Sequence, residues 1–106
     1  MFPEKTVTEV KEMIDNNIDF QLIDVREQME KDIADIGGEL IPMNDILYSE
    51  DRISKDKPVV IYCRTGNRSL QVVMQLQTMY SFDNLYNMKG GIYAWSDEID
   101  ASITKY

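Results

Sequence analysis

The chain has 106 residues, of which 19 are acidic and 11 basic, and its formal net charge is −8. This length suits one domain around one core, and an acidic surface repels phosphate backbones. We therefore expect a single domain over residues 1–106 that binds no nucleic acid. The sequence holds one cysteine and no histidine. This composition excludes an internal disulfide and histidine-dependent catalysis, and we expect neither a metal nor another cofactor.

Two features of the sequence bear on location. No apolar run reaches the length of about 18 residues that a membrane-spanning helix needs. Residues 1–5 lack the basic start and the apolar run of a secretory signal. We expect a cytoplasmic protein without a membrane segment.

Predicted helices and strands alternate along the chain. In order, they are a helix from the Thr6–Glu9 capping box to Asn16 and Asn17, a strand over 20–26, a short helix over 28–33, an irregular stretch over 34–42, a weak helix over 45–49, a strand over 58–62, a helix over 69–80, a strand over 84–88 and a helix after Gly90 and Gly91. The helix over 69–80 is predicted to pack through Leu70, Val73, Leu76 and Met79. The continuous apolar run at 58–62 is typical of a strand buried on both faces. This alternation predicts an α/β domain with a mainly parallel sheet.

The loop over residues 63–69 carries the candidate chemistry. It lies between the most apolar strand and a long helix, where the carboxyl ends of strands bind ligands and a helix start offers free N–H groups and partial positive charge. Arg64 and Arg68 add two positive charges, so the thiolate of Cys63 is favoured without a histidine. Gly66 and Asn67 tolerate positive φ, which lets the loop turn its N–H groups inward. The sequence therefore predicts a reactive Cys63 rather than a small buried hydrophobe.

Four segments, in matching order and spacing, resemble the rhodanese family. They are Ile23-Asp24-Val25-Arg26-Glu27, Ile41-Pro42, Cys63-Arg64-Thr65-Gly66-Asn67-Arg68 and Lys89-Gly90-Gly91-Ile92-Tyr93-Ala94-Trp95. The resemblance implies a mainly parallel central sheet with helices on both faces. It also implies sulfur transfer, in which the cysteine takes sulfur from a small anionic donor such as thiosulfate or polysulfide. The resulting persulfide would pass its outer sulfur to cyanide, a thiol or a protein acceptor.

The resemblance also implies roles for individual residues. Cys63 would be the catalytic nucleophile. Substrate would be bound by the loop residues Arg64, Thr65, Gly66, Asn67, Arg68 and Ser69, with the two arginines holding the sulfonate end of thiosulfate. Ser69 is also expected to cap the following helix. Asp24 is expected to accept hydrogen bonds from the active-site region, and Arg26 to form a structural ion pair with a partner that the sequence does not identify.

The sequence is also compatible with other functions. The family often has a histidine where Asp35 stands, which leaves sulfur transfer intact but puts local geometry and acceptor docking in question. A cysteine phosphatase or arsenate reductase is one rival, although phosphatases place an arginine six positions after the cysteine and Arg68 is five after Cys63. A non-catalytic rhodanese-like binding module is a second rival. A carrier of sulfur from polysulfide or from a desulfurase is the alternative within sulfur transfer.

Overall fold

One parallel sheet organises the protein. The computed structural model describes residues 3–106. Its elements are β1 (Glu4–Lys5), α1 (Val7–Asp15), β2 (Gln21–Asp24), α2 (Gln28–Ile33), β3 (Glu39–Leu40), α3 (Met43–Ile46), a 3₁₀ turn (Glu50–Arg52), β4 (Val59–Tyr62), α4 (Asn67–Tyr80), β5 (Leu85–Met88) and α5 (Gly91–Glu98). The strand order is β1-β5-β4-β2-β3, and each pair of neighbours is parallel.

The core has two halves, one on each face of the sheet. All four residues of the central strand β4 are fully buried. Because side chains alternate along a strand, Ile61 joins the cluster that includes residues of α3 and α4. Tyr62 joins the cluster that includes residues of α1 and α5 and Trp95 in particular. The prediction of an α/β sheet with helices on both faces is confirmed.

Several predicted elements agree closely with the structure. Thr6 and Glu9 form a reciprocal capping box at the start of α1. The helix α2 has its predicted bounds. The loss of helical backbone after α1 coincides with Asn17, whose φ is 54°, a conformation that asparagine tolerates better than most residues.

The buried face of α4 was predicted in part: Val73 and Leu76 are buried as expected, whereas Leu70 and Met79 are not. The helix begins two residues earlier than predicted, and its buried residues are Ser69, Val72, Val73 and Leu76. Met79 is 55% exposed. Leu70 and Met79 are nine residues apart, roughly two and a half turns, so they point to opposite sides of the helix. An α-helix has about 3.6 residues per turn, so residues repeated at every third position shift progressively around the helix and leave its buried face.

Short elements account for the other differences. The two-residue edge strands β1 and β3 were not predicted, because two residues carry no readable alternation. The weak helix predicted over 45–49 is α3, which begins at Met43 directly after Pro42. Within residues 3–106, no helix is both long and apolar enough to cross a bilayer.

Candidate active site

The site lies where β4 ends and α4 begins, at the carboxyl edge of the sheet. Cys63 directly follows β4 and is 1% exposed. Gly66, with φ at 101°, is the N-cap of the 14-residue α4. A Cβ at Gly66 would also come within 3.2 Å of the Gly90 nitrogen. The positive φ therefore favours glycine here, and the close approach of Gly90 leaves little room for a side chain.

Hydrogen-bond donors of the loop converge on the Cys63 sulfur. The backbone N–H of Gly66 donates to Sγ at 3.1 Å and that of Ser69 at 3.4 Å, and the Ser69 hydroxyl oxygen lies 3.3 Å from Sγ. Such donors, at the positive end of a long helix, stabilise a thiolate or another sulfur anion. Ser69 is not the helix cap that was predicted, because it is the third residue of α4.

The two loop arginines are held in different ways. Arg68 donates from both Nη atoms to the two carboxylate oxygens of Glu30, each at 2.8 Å. Arg64 donates to the Tyr93 hydroxyl at 2.8 Å, and its guanidinium lies over the rings of Tyr93 and Tyr106. Among residues 3–106, Arg64 forms no ion pair, whereas Glu30 neutralises Arg68. Arg64 is thus the loop cation with charge left for an anion.

Glu30 and Tyr106 join the loop to a buried ion pair. The Tyr106 hydroxyl donates to Glu30 at 2.7 Å and accepts from Arg26 at 2.9 Å. Hydrogen bonds from Arg68, followed by that from Tyr106, outweigh burial and hold the pKa of Glu30 at about 2. Glu30 is therefore ionised at neutral pH. This network ties the first turn of α4 to α2.

Asp24 and Arg26 are partners of each other. Both are fully buried, and Arg26 donates to both carboxylate oxygens of Asp24, at 2.9 and 2.8 Å. Arg26 also donates to the carbonyls of Glu30 and Ala34. The partner that the sequence did not identify is thus Asp24. The carboxylate of Asp24 accepts its hydrogen bonds from Arg26. Arg26 in turn contacts Tyr106, so Asp24 is linked to the active-site region through this arginine.

The remaining predicted positions do not contact the Cys63 sulfur: two are exposed at the rim of its loop, and Asp35 lies in the turn after α2. Thr65 and Asn67 are exposed on the loop. Asp35, in the place of the family's histidine, accepts from the Gly37 N–H at 2.8 Å and pairs with Lys31 at 3.0 Å. Asp35 therefore shapes the turn after α2 rather than entering the sulfur site.

Two backbone hydrogen bonds join the start of α5 to the loop that contains Cys63. The N–H groups of Ile92 and Tyr93 donate to the carbonyls of Cys63 and Arg64, at 2.9 and 3.0 Å. This approach is possible because Gly91 has no side chain: a Cβ there would lie 2.4 Å from the Cys63 oxygen. The Gly-Gly segment near the end of the chain thus packs directly against the loop that contains Cys63.

Asn87 was missed by the sequence analysis. It is 2% exposed on β5, and its Oδ1 lies 2.5 Å from the Ser69 hydroxyl. Its Nδ2 donates to the Gly66 carbonyl and to a carboxylate oxygen of Glu4. An amide within an otherwise apolar strand is the signal that could have found it. Glu30 and Tyr106 carried no such local signal, because their partners are distant in sequence.

A cavity of about 620 Å³ lies elsewhere on the molecule. It is lined by residues at the amino ends of the strands, including Gln21, Glu39 and Lys57. The amino ends of parallel strands lie at the edge of the sheet opposite to Cys63. This cavity is therefore separate from the loop that contains Cys63.

Known proteins are similar to this chain in sequence and in fold. The Rhodanese-like domain family matches residues 6–98. The chain is 32% identical over 104 residues to the probable adenylyltransferase/sulfurtransferase MoeZ of Mycobacterium tuberculosis, covering 95% of this chain and 26% of that protein. It is 40% identical over 91 residues to the chloroplastic rhodanese-like/PpiC domain-containing protein 12 of Arabidopsis thaliana, covering 81% of this chain and 30% of the plant protein.

A solved structure gives the same result. The crystal structure of SSP1007 from Staphylococcus saprophyticus matches with a TM-score of 0.81 at 33% identity, covering 92% of this chain and 97% of that one. The chain spans only about a quarter to a third of the two curated relatives named above. On the strength of the family match over most of its length, this chain belongs to the rhodanese-like domain family.

Proposed function

We propose that the protein is a sulfurtransferase that carries sulfane sulfur on Cys63. The observation that carries this proposal is the Cys63 sulfur itself, which lies within hydrogen-bond distance of two loop N–H groups at the start of α4. That environment stabilises the thiolate that must attack, and it can stabilise the sulfur anion that results. The relatives include a probable sulfurtransferase, which supports the same chemistry for this chain.

The proposed reaction has two steps, each of which breaks one bond to sulfur and forms another. The Cys63 thiolate attacks the outer sulfur of thiosulfate, a new S–S bond forms, and the S–S bond of thiosulfate breaks. Sulfite leaves with the bonding electron pair. Cyanide or a thiolate then attacks the outer sulfur of the persulfide, which yields thiocyanate or a new persulfide and regenerates the Cys63 thiolate.

We assign the attraction of the anionic donor to Arg64. Its guanidinium has a hydroxyl partner, Tyr93, but no carboxylate partner among the described residues. Both Nη atoms of Arg68 donate to Glu30, so we assign Arg68 to holding the loop. The other rim residues, Thr65 and Asn67, would border the entering donor. Polysulfide, another sulfur anion, is a donor of the same charge class.

The proposal places the reaction in a reducing compartment, the cytoplasm. Cys63 must be a free thiol to accept sulfur, and thiols are kept reduced there. A thiol acceptor would meet the persulfide under the same conditions. A protein acceptor also fits the proposal, because a protein thiolate would attack the outer sulfur of the persulfide in the same way.

Thiocyanate formation tests the proposed function. Wild-type protein, incubated with thiosulfate and cyanide, should form thiocyanate catalytically, and Cys63→Ser should form none above the uncatalysed rate. Polysulfide should replace thiosulfate if the donor class is correctly assigned. A wild type that forms no thiocyanate with either donor would refute the proposal. Hydrolysis of an aryl phosphate that disappears in Cys63→Ser would favour the phosphatase alternative instead.

A further inference from the structure

We infer that Asn87 is a positioning residue that sets the direction of the Ser69 hydroxyl and thereby controls the protonation of Cys63. The inference deepens the proposed function, since it concerns the nucleophile on which sulfur transfer rests. The side-chain hydrogen bonds of Asn87 go to Ser69, Glu4 and Gly66 and not to the sulfur. It acts through Ser69, whose hydroxyl oxygen lies 2.5 Å from Asn87 Oδ1 and 3.3 Å from Cys63 Sγ.

The orientation of the Asn87 amide is fixed by its donors. Its Nδ2 lies 3.3 Å from the Gly66 carbonyl oxygen and 3.2 Å from a Glu4 carboxylate oxygen. Both of these atoms only accept hydrogen bonds, so the NH₂ group must face them and Oδ1 must face Ser69. A carbonyl oxygen can only accept, and the short contact therefore requires the Ser69 hydroxyl to donate its single proton to Asn87.

This geometry leaves lone pairs of the Ser69 oxygen toward the sulfur. A protonated Cys63 can donate its S–H to that oxygen, which completes a chain from Cys63 through Ser69 to Asn87. A thiolate cannot donate, and it gains the Ser69 hydroxyl only if that proton turns away from Asn87. The two backbone N–H groups serve the sulfur in both states. Asn87 thus favours the thiol relative to a site in which the hydroxyl is free.

Removing the acceptor and strengthening it should therefore have opposite effects. In Asn87→Leu the Ser69 hydroxyl can donate to the thiolate, which is a stronger acceptor than the neutral Gly66 carbonyl nearby. Asn87→Asp is made together with Glu4→Gln, because the Glu4 carboxylate would otherwise face the new carboxylate at the position of Nδ2. In this variant a carboxylate holds the hydroxyl more strongly and adds negative charge close to the sulfur. A merely structural role for Asn87 would move both variants in one direction.

The charged groups around this cluster stay the same in the comparison, except for the Glu4 carboxylate that contacts the Asn87 amide. They are Arg64 on the loop, Arg68 on the first turn of α4, Glu30 of α2 opposite Arg68, and Glu4 of β1 behind Asn87. Tyr93 of α5 is the titratable group next to Arg64. Because Glu4 contacts position 87 directly, Glu4→Gln alone is the reference for the aspartate variant, and the remaining differences arise from position 87 itself.

The test is the pH dependence of Cys63 alkylation by iodoacetamide, measured on the full chain. The chain has one cysteine, so the rate reports this thiol alone. We expect the midpoint to fall by about 0.5–1 pH unit in Asn87→Leu and to rise by at least as much in Asn87→Asp, the size of one hydrogen bond. Asn84→Leu is the matched control: Asn84 precedes β5 and its amide donates to the carbonyls of Ser54 and Lys57. It should leave the midpoint unchanged.

Two further arms make the outcome decisive. In a Ser69→Ala background the shift caused by Asn87→Leu should disappear, because the relay is already broken. Asn87→Ala, which removes the same acceptor without filling the space, replaces Asn87→Leu if that variant fails to fold. Shifts of the same sign in the leucine and aspartate variants, or a leucine shift that persists without Ser69, would overturn the inference. Thiocyanate formation by the wild type is scored separately, so failure of the proposed function is distinguishable from failure of this relay.

Discussion

Gly91→Ala should show that the glycine pair belongs to the active site. A Cβ at Gly91 would lie 2.4 Å from the Cys63 carbonyl oxygen and 2.7 Å from the carbonyl carbon and oxygen of Arg64. These are backbone atoms of the sulfur loop, which cannot turn away as a flexible side chain would. The loop must move as a unit, and the hydrogen bonds from Ile92 and Tyr93 to the same carbonyls must lengthen.

The magnitude follows from two contributions. Gly91 has a φ of 58°, and a left-handed alanine costs about 1–2 kcal/mol. Forcing a methyl group into packed atoms adds about 1–3 kcal/mol. Gly37→Ala is a matched control, because Gly37 has a φ of 97° and no atom within 4 Å of its added Cβ. We expect losses in unfolding free energy of about 2–5 kcal/mol for Gly91→Ala and about 1–2 kcal/mol for Gly37→Ala.

Urea denaturation of both variants measures these losses, and thiocyanate formation measures the effect on the loop. Gly91→Ala should lose most of its activity even where it is fully folded, whereas Gly37→Ala should keep wild-type activity. Equal destabilisation of the two variants, with activity retained in Gly91→Ala, would refute the reasoning that the start of α5 holds the loop.

Three other variants test the network around the site. Tyr106→Phe removes the hydroxyl that donates to Glu30 and should lower the unfolding free energy by about 1–2 kcal/mol; unchanged stability would contradict this role. The Arg68 hydrogen bonds hold the pKa of Glu30 at about 2 against an ordinary 4.5, so its stabilisation is complete above pH 4.5 and is lost as the pH falls toward 2. Because Arg68 is partly exposed, we expect this pair to account for about 1–2 kcal/mol of acid-dependent loss. Urea melts should show a loss larger by about this amount in the wild type than in Glu30→Gln, in which the other carboxylates still titrate; an equal loss in both would contradict it. Arg64→Ala should raise the KM for thiosulfate roughly tenfold with little change in kcat, and Arg52→Ala, an exposed arginine at the other edge of the sheet, should not; equal KM values would remove Arg64 from donor binding.

The sequence predicted the parts of the fold that local patterns encode. The apolar run before Cys63 and the Thr6–Glu9 capping box both correspond to observed elements. The two-residue strands β1 and β3 could not be predicted, because their pairing depends on neighbours that are distant in sequence. The buried face of α4 was predicted only in part, at Val73 and Leu76, because spacing alone did not fix the phase of the helix.

The candidate site shows the same division. Cys63 and its loop were found from a local motif, since the chemistry needs adjacent residues at the end of a strand. Glu30 lies 38 positions in sequence from its partner Arg68, and Tyr106 lies 76 positions from its partner Glu30. Asn87 reaches it through the alignment of β5 with β4. Only the folded chain brings these groups together, and the contact between Arg68 and Glu30 is the reason that we propose loop support for Arg68 in place of donor binding.

The mass of the intact protein tests the central claim most directly. After brief incubation with thiosulfate or polysulfide and removal of the donor, wild-type protein should gain the mass of one sulfur atom. Addition of cyanide should remove that sulfur and release an equal amount of thiocyanate. Cys63→Ser should gain nothing under the same conditions. A wild type that gains no sulfur from either donor, or a Cys63→Ser variant that gains as much as the wild type, would contradict a persulfide on Cys63.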